Sequence, residues 1–288
     1  EKIRKELMDP DHYDVLETDP TASTIKTVEK WANKWLGRGK ISEEVCNYVK
    51  SIKNTRPGNC KPLTKTHKPQ PFPMRLLLSG CGTPIQRLSK FVQLNIRHLT
   101  NHIPYQIIDT KEFLQKISLI NEHLSPLPMS AVFAACDVVA LYPNVNNNMG
   151  IPTTKKLLNS FPSPLNTPTQ YVMEALTICL DNNACVYVSS EDTIYAKPNK
   201  GTAMGPNHAC DYVDVFMSRL DEDITSSSPV PLLSSTLPPE ISDTMKTLDW
   251  SRFRDDGFTI LLDETHVSAF HNFLQTIHPP NIQWTVAH

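Results

Sequence analysis

Apolar positions recur along this chain with two periods. Ile41, Val45, Tyr48, Val49 and Ile52 fall on one helical face behind Ser42, a residue suited to cap a helix start. Thr83-Pro84 marks a second start, and Ile85, Leu88, Val92, Ile96 and Leu99 follow at helical spacing. Thr110 is placed to cap a third helix with Phe113, Leu114 and Ile117 turned inward. Residues 168–181, 207–223 and 264–277 also read as helices. Residues 184–188 and 193–197 read as a hairpin around Ser-Ser-Glu-Asp, and 281–286 as a final strand. The pattern predicts an α+β chain.

Two further β-prone runs end in acid. Ala131 to Cys136 leads into Asp137, and Trp250 to Leu262 is interrupted by Asp255-Asp256-Gly257. Asp-Asp-Gly between such runs is a tight-hairpin signal, which would present both carboxylates at the tip. Alone, that tripeptide specifies a turn and nothing more. If the Asp137 strand lies beside the hairpin, however, three carboxylates converge. Hard oxygen ligands of that kind suit Mg²⁺, and a pair of such ions can serve phosphoryl transfer.

The 288 residues are 40% apolar and 20% charged, ordinary for a chain with a substantial core. No apolar run approaches the roughly 18 residues of a membrane span, and the N-terminus carries no secretory signal. Seven cysteines are scattered singly, which argues against a disulfide framework or a zinc ribbon and fits a reducing compartment. The net charge of −2 conceals an asymmetry. Residues 45–108 hold ten Lys or Arg and no acid, whereas 131–288 hold eight basic and 17 acidic residues. A solvated basic face is one reading. Set directly before a candidate metal site, the stretch reads better as a surface for nucleic-acid and triphosphate phosphates.

The order of motifs adds a family. Lys-Pro-Leu-Thr-Lys-Thr-His-Lys-Pro (61–69) is followed by Pro-Met-Arg-Leu-Leu-Leu-Ser-Gly (73–80). Then come Asp-Val-Val-Ala-Leu-Tyr-Pro-Asn-Val from Asp137, Lys-Gly-Thr-Ala-Met-Gly-Pro (200–206), and Arg-Phe-Arg-Asp-Asp-Gly. From about residue 60 onward this set resembles the reverse transcriptases of Penelope-like retroelements, with their "PKxHKP", "LRPI", "DVxSLFTNV", "GxAMG" and "YxDD" segments. Three positions depart from that pattern. Ala196 to Lys200 stands where a Gln is usual, Pro206-Asn207 replaces Ser-Pro, and Phe253 replaces Tyr.

The resemblance implies a right-hand polymerase with fingers and an antiparallel palm sheet packed on helices. It implies a helical extension at 1–58, basic fingers at 59–130 and a palm at 131–288. The palm would carry a fingers insertion at about 150–197 and a mobile loop at about 226–240, and would stop before a thumb. The chain, which begins with Glu, then reads as an excised segment. Asp137 and Asp255 would bridge two Mg²⁺ ions (Mn²⁺ as the substitute), with Asp256 and the Val138 carbonyl completing the set. Tyr142 would exclude a 2′-hydroxyl, or serve as core packing, or both. Gly201, Met204 and Gly205 would lie against the nascent base pair; an ordinary strand-to-helix turn is the alternative. Arg75, assisted by Lys65 or Lys68, would grip the incoming triphosphate.

The implied partners are an RNA template, a DNA primer and deoxynucleoside triphosphates, in an intracellular and nuclear setting, with no membrane or protein partner. A decayed or domesticated copy that binds nucleic acid without catalysis is the main alternative. A two-metal nuclease fits the basic segment and Tyr142 poorly.

Overall fold

The computed structural model describes residues 2–51, 55–66, 74–124, 130–190, 192–230, 249–276 and 282–288. The chain divides into two compact units, each built from two separate stretches. One comprises Glu1–Leu99 and Val145–Val213, the other Thr100–Asn144 and Asp214–His288.

The first unit contains α1 (Lys2–Leu7), β1 (Tyr13–Leu16), α2 (Thr21–Gly37), α3 (Glu43–Lys50), β2 (Gly58–Thr64), β3 (Met74–Leu78) and α4 (Gln86–Ile96). Its strands form one sheet with β5 (Cys185–Val188) and β6 (Thr193–Pro198), in the order β1-β6-β5-β2-β3. Only the β2–β5 pair is parallel. The N-terminal stretch, expected to be helical, thus also supplies an edge strand, with Tyr13 opposite Pro198 and Val15 opposite Ala196. Helix α2 buries Val28, Trp31, Ala32 and Trp35, an i, i+3, i+4, i+7 stripe. Trp35 lies 3.9 Å from the ring of Tyr171, carried by α8 (Thr169–Asp181).

Sequence periodicity located most of these elements. Ser42 does cap α3, its side chain accepting from the Val45 amide, and Ile85, Leu88, Val92, Ile96 and Leu99 are all buried. Tyr48 departs from expectation: it is exposed, and Cys46 and Val49 fill the core instead. Ile52 lies outside the described residues.

The second unit holds α5 (Thr110–Leu124), β4 (Val132–Val138), α6 (Leu141–Asn144), β7 (Trp250–Phe253), β8 (Asp256–Leu261), α10 (Thr265–Thr276) and β9 (Trp284–Ala287). Helix α7 (Asn147–Ser160) belongs to the first unit, and α9 (Ala209–Ser227) begins there and continues into the second. The cap of α5 is Asp109, not Thr110: its carboxylate accepts the Glu112 amide at 2.8 Å, and Glu112 reaches back to the Ile108 amide at 2.7 Å. Along this helix Leu114, expected inward, is exposed, while Ile120 is buried.

The four strands of this unit form an antiparallel sheet ordered β7-β8-β4-β9. Alternation gives it two distinct faces. The inner face carries Trp250 and Arg252, Thr259 and Gly257, Ala134, Cys136 and Val138, and Trp284; it is buried, partly beneath Phe270 of α10. Burial there pushes the Cys136 thiol up to about 12, leaving it an uncharged packing group. The other face carries Phe253, Asp256, Asp137 and Thr285 in one row. The loop expected at 226–240 falls mainly in 231–248, outside the described residues. Among the described residues, no helix is long and apolar enough to cross a membrane.

Candidate active site

Asp137 is the sixth residue of β4, and its neighbour across the ladder is Asp256. The Val138 amide donates to the Asp255 carbonyl at 3.0 Å. That bond makes 138/255 the hydrogen-bonded pair and 137/256 a non-hydrogen-bonded one. Pairs of the second kind hold their Cα atoms closer, at about 4.5 Å. Two carboxylates thus stand side by side on an exposed face, adjacent to the tip that bears the third.

The hairpin turns one residue earlier than the Asp-Asp-Gly signal suggested. Phe253 pairs with Asp256, so the two-residue loop is Arg254-Asp255. Arg254 takes up the positive φ, at +58°, and Asp256 is already in the ladder. Gly257 serves a different end, since a Cβ there would lie 2.2 Å from the Trp250 ring. The glycine that looked like a turn residue instead admits a tryptophan to the inner face.

The three carboxylates are neighbours along the backbone, but their side chains do not close around a point. Among the described residues, no three His, Cys, Asp or Glu groups could hold a metal ion as they stand. In kind the donor set still fits Mg²⁺, since all three donors are carboxylates, which offer hard oxygens. Asp137 and Asp256 are the pair that adjacency favours, with Asp255 on the next residue.

After β4 the chain passes Ala140, at φ +51°, into α6. Tyr142 is half-buried there, its hydroxyl 3.5 Å from the Arg254 guanidinium. Beside the hairpin, a cleft of about 470 Å³ is lined by Ile107, Asp109, Phe113, Phe253, Asp256 and Phe258. An aromatic, largely apolar hollow therefore flanks one of the candidate carboxylates.

Sequence reading missed what stands behind the hairpin. Arg252 is fully buried on the inner face, where it meets Asp221 and Asp214 of α9. Burial raises the Asp214 carboxyl pKa against the pull of Arg252 and Arg254. Two signals were available. Alternation from Trp250 puts Arg252 on the buried side. Asp214 and Asp221 are seven residues apart, hence on one face of a helix.

The other candidates belong to the first unit. Arg75 is exposed on β3, opposite Leu63, and Lys65 directly follows β2. Lys68 lies outside the described residues. The loop from Gly201 to Gly205 is joined to the Arg75 strand, the Leu78 amide donating to the Met204 carbonyl at 2.9 Å. Gly205, at φ +138°, lies so close to that strand that a Cβ would sit 2.0 Å from the Leu78 oxygen. Only glycine fits such an approach. The Gly201 carbonyl accepts from Asn147, whose other amide atom accepts the Tyr212 hydroxyl. Met204 is half-buried beside these contacts.

No protein-family model matches the chain, and no curated protein sequence does. Solved structures do. Telomerase from Candida albicans, in complex with the TWJ fragment of telomeric RNA, superposes with a TM-score of 0.57 at 10% identity, over 90% of this chain and 47% of that one. Apo telomerase from Candida tropicalis gives 0.53 at 12% identity, over 96% and 52%. A form of the latter truncated from its C-terminal domain gives 0.53 at 11%, over 90% and 54%. The chain spans about half the length of these structures and shares their fold: a reverse-transcriptase-like polymerase fold of fingers and palm, with antiparallel strands packed on helices.

Proposed function

We propose that this chain is the finger and palm portion of an RNA-directed DNA polymerase of the Penelope-like kind. It extends a DNA primer on an RNA template with deoxynucleoside triphosphates. The primer 3′-hydroxyl attacks the α-phosphate, and pyrophosphate leaves. The observation that carries the reading is the pairing of Asp137 with Asp256 on an exposed sheet face, with Asp255 on the adjoining turn, inside a polymerase fold. Asp137, Asp255 and Asp256 would hold Mg²⁺, which when bound supplies charge stabilisation to the transferring phosphoryl group. The second unit is then the palm, and the basic part of the first unit the fingers.

This chain's own groups supply the rest. Arg75, Lys65 and Lys68 draw in phosphates, the guanidinium gripping bidentately. Gly205 keeps its loop tight against the Arg75 strand, and the loop from Gly201 through Met204 to Gly205 would lie against the nascent base pair. Tyr142 would stack below the sugar and leave no room for a 2′-hydroxyl.

A second reading draws on the open arrangement of the three carboxylates. It makes the chain a nucleic-acid-binding copy that has lost catalysis. Primer extension on RNA and DNA templates, with Mg²⁺ and with Mn²⁺, separates the two. Template-dependent extension that vanishes in Asp137→Asn supports the polymerase. Tight primer–template binding with no extension in either metal supports the binder.

A further inference from the structure

Arg252 occupies an inner-face position of β7, and its side chain is completely buried. A guanidinium there requires a full set of partners. Its Nε donates to Asp221 at 2.9 and 3.0 Å, and its Nη2 to the same carboxylate at 2.9 Å. Trp250 Nε1 also donates to Asp221, at 2.8 Å. The remaining nitrogen, Nη1, lies 3.4 Å from Asp214 and donates to the Arg254 carbonyl at 3.0 Å.

That last bond reaches the turn. Arg254 is a non-glycine residue at φ +58°, a conformation that persists only where the surroundings over-determine it. The other carbonyl of the two-residue loop, that of Asp255, accepts the Val138 amide at 3.0 Å. Both loop carbonyls are therefore held, one from beneath by Arg252 and one from the side by β4. The backbone that carries the Asp255 carboxylate is thereby pinned on both sides. Buried ion pairs add little net stability over apolar packing, and this face already accommodates Trp250 and Trp284. Fixing geometry is the stronger reason for a charge here.

We infer that Arg252 is a positioning residue: anchored by Asp221 and Asp214, it fixes the Arg254-Asp255 turn through the Arg254 carbonyl and so aims the Asp255 carboxylate. It lies on the face opposite Asp137 and Asp256 and acts only through the backbone. The kinetic consequence rests on the polymerase reading; the structural one does not. Lysine should not substitute, because it lacks the planar fork that bonds Asp221 and the carbonyl together.

The test uses the full chain carrying Arg252→Met with Asp221→Asn, which removes the donor without stranding the Asp221 charge, while Asp214 keeps Arg254 within 4.0 Å. Hydrogen exchange of the hairpin amides should speed up about tenfold relative to β4 and α9, with a cooperative melt retained. Extension should lose roughly 30-fold in kcat with primer–template KM unchanged, the sign of an interaction that matters only in turnover. Arg252→Lys should show both effects and is the variant to read if the double substitution does not fold. Asp137→Asn should abolish extension without speeding hairpin exchange. Hairpin exchange unchanged in a folded variant overturns the inference, as does exchange rising evenly over the whole unit. If the wild type does not extend primers, the polymerase reading fails and exchange alone decides the role of Arg252.

Discussion

Two like charges directly opposed across an antiparallel ladder repel, by something on the order of 0.2–1 kcal/mol. Asp137 and Asp256 are placed that way on an exposed face, and a cation bound there would relieve the repulsion. Asp137→Asn should therefore raise the melting temperature slightly in metal-free buffer while removing extension. The loss should be roughly a thousandfold or more, about 4 kcal/mol of transition-state stabilisation. Primer–template binding, which the basic stretch would supply, should survive, and extension at near the wild-type rate would end the assignment.

Tyr142 poses a different question. If its ring excludes a 2′-hydroxyl, Tyr142→Ala should raise ribonucleotide use relative to deoxyribonucleotide use in single-nucleotide addition. As packing alone it would depress both together, and an unchanged ratio would say so.

His208 gives a pH signature independent of function. It is fully buried, with Nδ1 2.9 Å from the Ser89 hydroxyl, and burial lowers its pKa to about 4. A group depressed in the folded state contributes stability that is present above the unfolded value, near 6.5, and lost as pH falls from there toward 4. That contribution is roughly 3 kcal/mol. Denaturant melts at pH 7 and pH 4 should show the loss in wild type, and a much smaller one in His208→Gln.

At the scale of elements, the hairpin shows where sequence was legible and where it was not. Helical stripes such as Ile85 to Leu99 and capping signals such as Ser42 are local, so they could be read directly. Turn placement depends on what lies across the sheet. Asp-Asp-Gly suggested its own turn, yet Trp250 claims the space above Gly257, and the loop falls back to Arg254-Asp255. The exposure of Leu114 has a similar origin, since the face a helix buries depends on what packs against it and not on its own spacing alone. Adjacency of Asp137 to the hairpin was expected from chemistry. The ion cluster behind it was not, because it joins residues separated by some thirty positions. Gly257→Ala should cost about 1–3 kcal/mol through overpacking against Trp250, measured by denaturant midpoint. Asp255→Ala, on the turn and outside the core, should cost far less stability and as much activity as Asp137→Asn.

For the whole molecule, the net charge of −2 hides an uneven distribution along the chain. If the acid-free stretch from 45 to 108 holds phosphates, log affinity for primer–template should fall steeply and linearly with log salt. Reversing Lys65, Lys68 and Arg75 together should flatten the slope by about three phosphate contacts' worth. An unchanged slope would put the nucleic acid elsewhere.

The division into interleaved stretches has a consequence for synthesis. Strand β4, which bears Asp137, ends at Val138, yet its neighbours begin only at Asp256 and Trp284. At 5–20 residues per second, a ribosome leaves β4 with both edges bare for on the order of ten seconds. Throughout that interval the strand is open to pairing with any other chain. A nascent polypeptide built this way should depend on chaperones, and one that terminates before Asp256 should aggregate rather than accumulate as a folded fragment.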